Sequence, residues 1–312
     1  MEEKRKVVLG VFPFFTRKLI CGMDLFKQLL ERFRSADSLL RLIYINVGVW
    51  VVLALLSLIL KLFTLSDGVL MGYLAMPSDV ALFLRRPWTL LSYMLVHKAF
   101  FHLFFNMLCL YWFGKVFLMQ HSEKQLAGLY VLGGLLGGML YVLSYNFFPL
   151  YADVRHYSTL IGASASVMAV IVASAMQMPN MQMRVLLIGN VSLKYIAIAT
   201  VLLSFLGITS ENAGGELAHL GGALAGYLFI VFLRRGSDLT AWFSRVVGWL
   251  VGIFKPVRRK KPKYHYKRPV SDADYNQQKS SHNEQIDLIL DTIKRSGYES
   301  LTNDEKATLF RR

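Results

Sequence analysis

The chain has 312 residues, 54% of them hydrophobic, and a mean hydropathy of +0.42, more apolar surface than a soluble globular protein of that size can hide. Its net charge of +15 sits at the ends: of 35 Lys and Arg, nine fall in residues 1–41 and seventeen in 234–312. Basic ends around an apolar middle point to a multispanning membrane protein with cytoplasmic termini against anionic lipid, and away from nucleic acid.

Residues 1–38 form a basic segment in which Lys4, Arg5, Lys6, Arg17 and Lys18 alternate with Phe12, Phe14 and Phe15, as in a segment lying on the cytoplasmic face. No cleavable signal peptide is expected, since the run Val7–Phe15 is short and broken by Pro13. Cys21 and Cys109 lie in different settings and predict neither a disulfide nor a metal site.

The apolar pattern predicts six membrane-crossing helices within 39–233, an all-α architecture. The spans are expected at about 39–60, 100–119, 125–147, 160–178, 193–208 and 216–233. The connection 64–96 is too apolar for a free loop and reads as a folded loop in the outer interface, with Trp88 and Tyr93 at headgroup depth. Arg32, Arg34 and Arg41 before the first span, and Arg234 and Arg235 after the last, place both termini in the cytoplasm and the protein in the cell membrane.

Residues 234–282 hold an amphipathic stretch, Leu239–Phe254, and a polybasic linker with eight Lys or Arg in Lys255–Arg268, suited to anionic headgroups. Residues 283–312 predict a small cytoplasmic helical hairpin. Ile286, Ile289, Leu290 and Ile293 share a face, Gly297 ends the first helix, and Thr302 with Glu305 gives a capping box for the second.

Polar side chains inside spans are costly, so each is a functional candidate. His102 and Asn106 in span two, Ser164 and Ser166 in span four, and His219 in span six stand out, with His97 just before span two. Spans two, four and six all enter from the external side. At ~1.5 Å per residue, His102, Asn106, Ser164 and His219 share the outermost ~10 Å. A serine becomes a nucleophile when a base takes its proton, which assigns Ser164 and His219 to those roles. His102 and Asn106, at i and i+4, reach a common oxygen and supply oxyanion donors, with the Ser164 amide as another. Glu216 is expected at the mouth of span six facing water, so the site reads as a dyad. Ser166 is expected to bond its own helix backbone, and His97 to be structural or a loop anchor. Gly222 and Gly226 form a GxxxG face that lets spans four and six approach closely.

These motifs resemble the rhomboid intramembrane serine proteases: His102-Leu103-Phe104-Phe105-Asn106, Gly162-Ala163-Ser164, and Ala218-His219-Leu220-Gly221-Gly222-Ala223-Leu224-Ala225-Gly226, in this order and on these spans. The resemblance covers about 39–233. It implies Ser164 as nucleophile, His219 as general base, and His102 with Asn106 as the oxyanion site. It also implies transmembrane protein substrates cut near their external ends, and neither metal nor cofactor. Three departures are visible. Ala165 follows the serine where the family has glycine. Met168 stands where an aromatic residue often stacks on the histidine. The Trp-Arg pair of the first external loop is Trp88-Thr89, with Arg85 and Arg86 just before it. A catalytically inactive relative that binds membrane proteins or acts in their quality control is the alternative. A transporter is disfavoured for want of charged or broken-helix sites at mid-membrane.

Overall fold

The computed structural model describes residues 27–28, 30–185, 189–254 and 272–309. Residues 1–26 and 255–271, which carry most of the basic charge expected to meet lipid, lie outside the described residues. The chain divides after Phe254 into two units.

In chain order the first unit contains α1 (Ser38–Leu62), α2 (Phe100–Leu118), α3 (Glu123–Phe147), α4 (Ser164–Gln177), α5 (Leu193–Leu206), α6 (Ala213–Arg234) and α7 (Ala241–Phe254). These apolar stretches fold as helices because a chain without water must satisfy its own amides and carbonyls. By length and composition α1, α2, α3 and α6 are able to cross a membrane, whereas α4 and α5 are apolar but shorter. Two small antiparallel sheets add to the expected all-α architecture. β1 (Met76–Pro77) pairs with β2 (Thr159–Leu160), and β3 (Gln182–Val185) pairs with β4 (Gly189–Ser192). Both sit in connections and are too short to leave a readable alternation.

β2 also changes the start of the fourth apolar segment. The helix expected from Leu160 begins at Ser164, because Thr159 and Leu160 are extended and Gly162 has φ +112°, a left-handed backbone that glycine adopts at little cost.

Helix α4 lies against α3 and α6 with almost no side chain between the backbones. A Cβ on Gly222 would stand 2.0 Å from the Ala165 carbonyl oxygen, and one on Gly226 would stand 2.3 Å from that of Ala169. The GxxxG face therefore presses on α4 as its spacing implies. From α3, Gly137 faces the Ala165 methyl and the Ala218 carbonyl, where an added Cβ would lie 2.5 and 2.7 Å away. α1 is held more loosely. Asn46, buried in α1, donates from Nδ2 to Tyr130 Oη of α3 at 3.0 Å, while Leu55 and Leu58 remain 55% and 54% exposed.

The 64–96 connection is folded, with helical turns at Gly68–Leu74, Val80–Arg85 and Thr89–Ser92. Tyr93 is not at the surface as expected. It is 1% exposed, its hydroxyl donates to the Gly134 carbonyl at 2.7 Å, and its ring packs on Gly138 of α3, where an added Cβ would come within 3.2 Å of its Cε1. Trp88 does lie at the surface, half exposed.

Helix α7 belongs to the first unit, so the boundary expected at 233/234 is not a break in the fold. Asp238 accepts from Gln125 of α3 at 3.1 Å and from the Thr240 amide at 2.7 Å, and Thr240 is buried over Gly128.

The second unit is a hairpin of α8 (Asp272–Ser296) and α9 (Asn303–Leu309). Gly297 closes α8 at φ +81°, and Thr302 and Glu305 form the expected reciprocal cap. α8 starts at Asp272 rather than 283. Its first turns are polar all round and carry no apolar stripe to reveal them. Ile289 and Leu301 are buried, whereas Leu290, expected on the same face as Ile289, is 49% exposed.

Gly222→Ala should destabilise the bundle, by about 1–3 kcal/mol or more, because its methyl has only backbone to displace. Thermal unfolding in detergent measures this, and an unchanged midpoint would contradict the close approach.

Candidate active site

Ser164 is the first residue of α4, and the segment leading to it is fixed at several points. The Gly162 amide donates to the Tyr93 carbonyl at 2.8 Å, and the Ala163 amide donates to His97 Nε2 at 3.2 Å. The first helical bond runs from the Val167 amide to the Ala163 carbonyl, so the Ser164 amide is among those a helix leaves without an internal partner at its start. The positive end of the α4 dipole lies at the serine.

His219 lies on α6. Its Nδ1 is 3.2 Å from Glu216 Oε2 and 3.1 Å from Ser204 Oγ of α5. Glu216 therefore does not turn to water as expected: its side chain is 21% exposed, as is that of His219. The three-residue spacing of Glu216 and His219 on one helix was the available signal for this contact. Ser204, buried at 3% exposure, had no such signal because its partner is distant in sequence.

His102 and Asn106 lie on α2. The His102 imidazole rests on Gly162, where an added Cβ would come within 2.7 Å of its Cε1. Asn106 donates one Nδ2 hydrogen to the His102 carbonyl at 2.8 Å, which leaves the other for the cavity. Ser164, His219, His102 and Asn106 all line one open cavity of about 820 Å³. Among the described residues no hydrogen bond joins Ser164 to His219. Among the described residues neither the serine hydroxyl nor His219 Nε2 has a hydrogen-bond partner, and both belong to side chains that line that cavity.

Ser166 departs from its expected role. It is fully buried, and its hydroxyl has no hydrogen-bond partner among the described residues. His97 is the loop anchor, 2% exposed, with its ring edge-on to His102 at 5.1 Å.

A family model described as Rhomboid domain matches residues 84–236, a stretch that takes in α2 to α6 and every residue of the cavity-lining quartet. Residues 84–236 form a rhomboid domain. A second model, a family of unknown function (DUF6576), matches residues 271–311, which cover the terminal hairpin. No curated protein matches the chain.

The departures from the rhomboid pattern have local explanations. Arg86, before Trp88 rather than after it, anchors the first loop: it donates to the Gly72 carbonyl at 2.8 Å and lies 4.5 Å over the Tyr73 ring. Trp88 Nε1 donates to the Tyr73 carbonyl at 2.9 Å. Met168 lines the same cavity as His219, where it presents a flexible thioether rather than a ring. The Ala165 methyl fits because residue 137 is glycine.

Burial, and secondarily the neighbouring His102, pushes His97 down to about 4 from 6.5. The folded rhomboid keeps this ring neutral, as an acceptor for the Ala163 amide must be. Between those two pH values the unfolded chain binds the extra proton, so stability falls as pH drops through that window. The thermal midpoint in detergent should decline from pH ~6.5 towards ~4, and the decline should be smaller in His97→Gln. Equal declines in both proteins would place the acid sensitivity elsewhere.

Proposed function

We propose that the chain is an intramembrane serine endopeptidase that cuts transmembrane segments of other membrane proteins near the external face. In this reading α1 to α6 cross the cell membrane six times, both termini and the C-terminal hairpin are cytoplasmic, and the basic ends meet anionic lipid headgroups. The observation that supports it is the convergence of Ser164, His219, His102 and Asn106 on one cavity in a rhomboid domain.

The chemistry follows from those groups. Ser164 Oγ attacks the scissile carbonyl carbon while His219 Nε2 takes the hydroxyl proton. The oxyanion that forms is met by side-chain N–H groups of His102 and Asn106 and by the Ser164 amide at the positive end of α4. The imidazolium returns its proton to the leaving amine, and the C–N bond breaks. Water then attacks the acyl-enzyme with His219 again as base, releasing the second product and restoring the serine.

Purified protein mixed with a single-span substrate should cleave it, and Ser164→Ala and His219→Ala should not. A fluorophosphonate should label the wild type at Ser164. Cleavage by Ser164→Ala equal to wild type would falsify the reading. Binding without cleavage or labelling, retained in Ser164→Ala, would identify the inactive substrate-binding alternative. Asn106→Ala should lower kcat by about 10²–10³ if its free N–H meets the oxyanion. Progress curves at saturating substrate measure that loss, and an unchanged kcat would remove Asn106 from the oxyanion site.

A further inference from the structure

His219 is held from behind by two oxygens, and only one of them dictates where its proton sits. A neutral imidazole carries one hydrogen, on Nδ1 or on Nε2. The Ser204 hydroxyl, 3.1 Å from Nδ1, both donates and accepts and so fits either tautomer. The Glu216 carboxylate, 3.2 Å from the same nitrogen, only accepts. With the proton on Nε2, a bare Nδ1 would face carboxylate lone pairs. With the proton on Nδ1, the contact becomes a charge-assisted hydrogen bond.

The carboxylate arm is also accommodated by the fold. Gly207, just beyond α5, leaves room for it: an added Cβ there would lie 2.8 Å from Glu216 Cγ and 3.1 Å from Cδ. The Glu216 side chain thus lies between α5 and α6 and shares the limited exposure of His219. Besides His219, the side chains of Ser204 and Asn212 hydrogen-bond Glu216, and the polar groups that share the cavity with His219 include His102 and Asn106 on α2, Tyr141 and Tyr145 on α3, Ser164 on α4, and Glu211 and Asn212 before α6. Among the described residues Glu216 is the one carboxylate that hydrogen-bonds His219.

We infer that Glu216 is a positioning residue for His219: it accepts the Nδ1 hydrogen, fixes the tautomer that leaves the Nε2 lone pair open to the cavity, and makes the dyad a Ser164–His219–Glu216 triad. Its kinetic consequence rests on the protease reading above, whereas its structural content does not.

Nitrogen-15 spectra of histidine-labelled protein in detergent separate the two, with the His219 signal identified by its loss in His219→Ala. In the wild type at pH ~8, above the ordinary histidine range, the His219 hydrogen should be on Nδ1. In Glu216→Gln the amide N–H₂ can donate to Nδ1, and the hydrogen should move to Nε2. The same variant should lose roughly 10- to 100-fold in kcat with KM within about twofold. A wild-type His219 protonated on Nε2 overturns the inference without any variant, so a poorly folding Glu216→Gln does not shelter it. An unchanged tautomer or an unchanged kcat in a folded Glu216→Gln also overturns it. If Ser164→Ala cleaves like wild type, the protease reading fails, and the tautomer of His219 still decides whether Glu216 orients it.

Discussion

The architecture depends on the approach of three backbones with nothing larger than a methyl between them. Gly222 and Gly226 of α6 rest on the carbonyls of Ala165 and Ala169, and Gly137 of α3 closes the other side. In a membrane, where lipid is as apolar as leucine, such contacts hold helices together through dispersion and through the close fit of small residues. The site follows from this. His219 is three residues before Gly222 on α6, and Ser164 precedes Ala165 on α4. The contact that joins the helices therefore also brings the two side chains to one cavity wall.

A second set of constraints holds the approach to Ser164. Three non-helical residues carry the chain from β2 into α4, and each tie is to a distant partner: β1 across the short sheet, Tyr93 through its carbonyl, and His97 through its ring. His97 accepts from the Ala163 amide, beside the serine, through Nε2, and its ring meets that of His102 in an edge-to-face arrangement. The 64–96 connection, α2 and α4 are thus fastened through one buried imidazole. A neutral acceptor serves there because a charged ring would have no acceptor role to offer the Ala163 amide.

Much of this was legible from residue types and spacing. The long apolar runs gave α1, α2, α3 and α6 within a few residues, and the glycine spacing in α6 announced its packing face. Gly297 and the Thr302–Glu305 pair marked the hairpin of the second unit. Contacts between distant residues were not legible. Asn46 looks like one more polar residue in an apolar run, and its partner Tyr130 is eighty-four positions away. Ser204 is hidden for the same reason, although it touches the histidine the reading singled out. The place of Glu216 at the end of an apolar run suggests water, whereas the link before it is already helical from Ala213 and carries the carboxylate inward. Tyr93 points to the interface by residue type alone, and its burial depends on another helix, where the Gly134 carbonyl accepts its hydroxyl and Gly138 leaves room for its ring.

The Ala165–Gly137 contact has a consequence for how this family tolerates change. A side-chain carbon at 137 would lie 2.5 Å from the one at 165 and 2.7 Å from the Ala218 carbonyl oxygen. The alanine after the nucleophile is then a matter of volume, allotted by a glycine on a neighbouring helix. Exchanging that alanine for glycine leaves a gap that a methyl at 137 could not fill, because the Ala218 backbone still stands in its way. Volume at the two positions is not interchangeable, and substitutions at either are best read together.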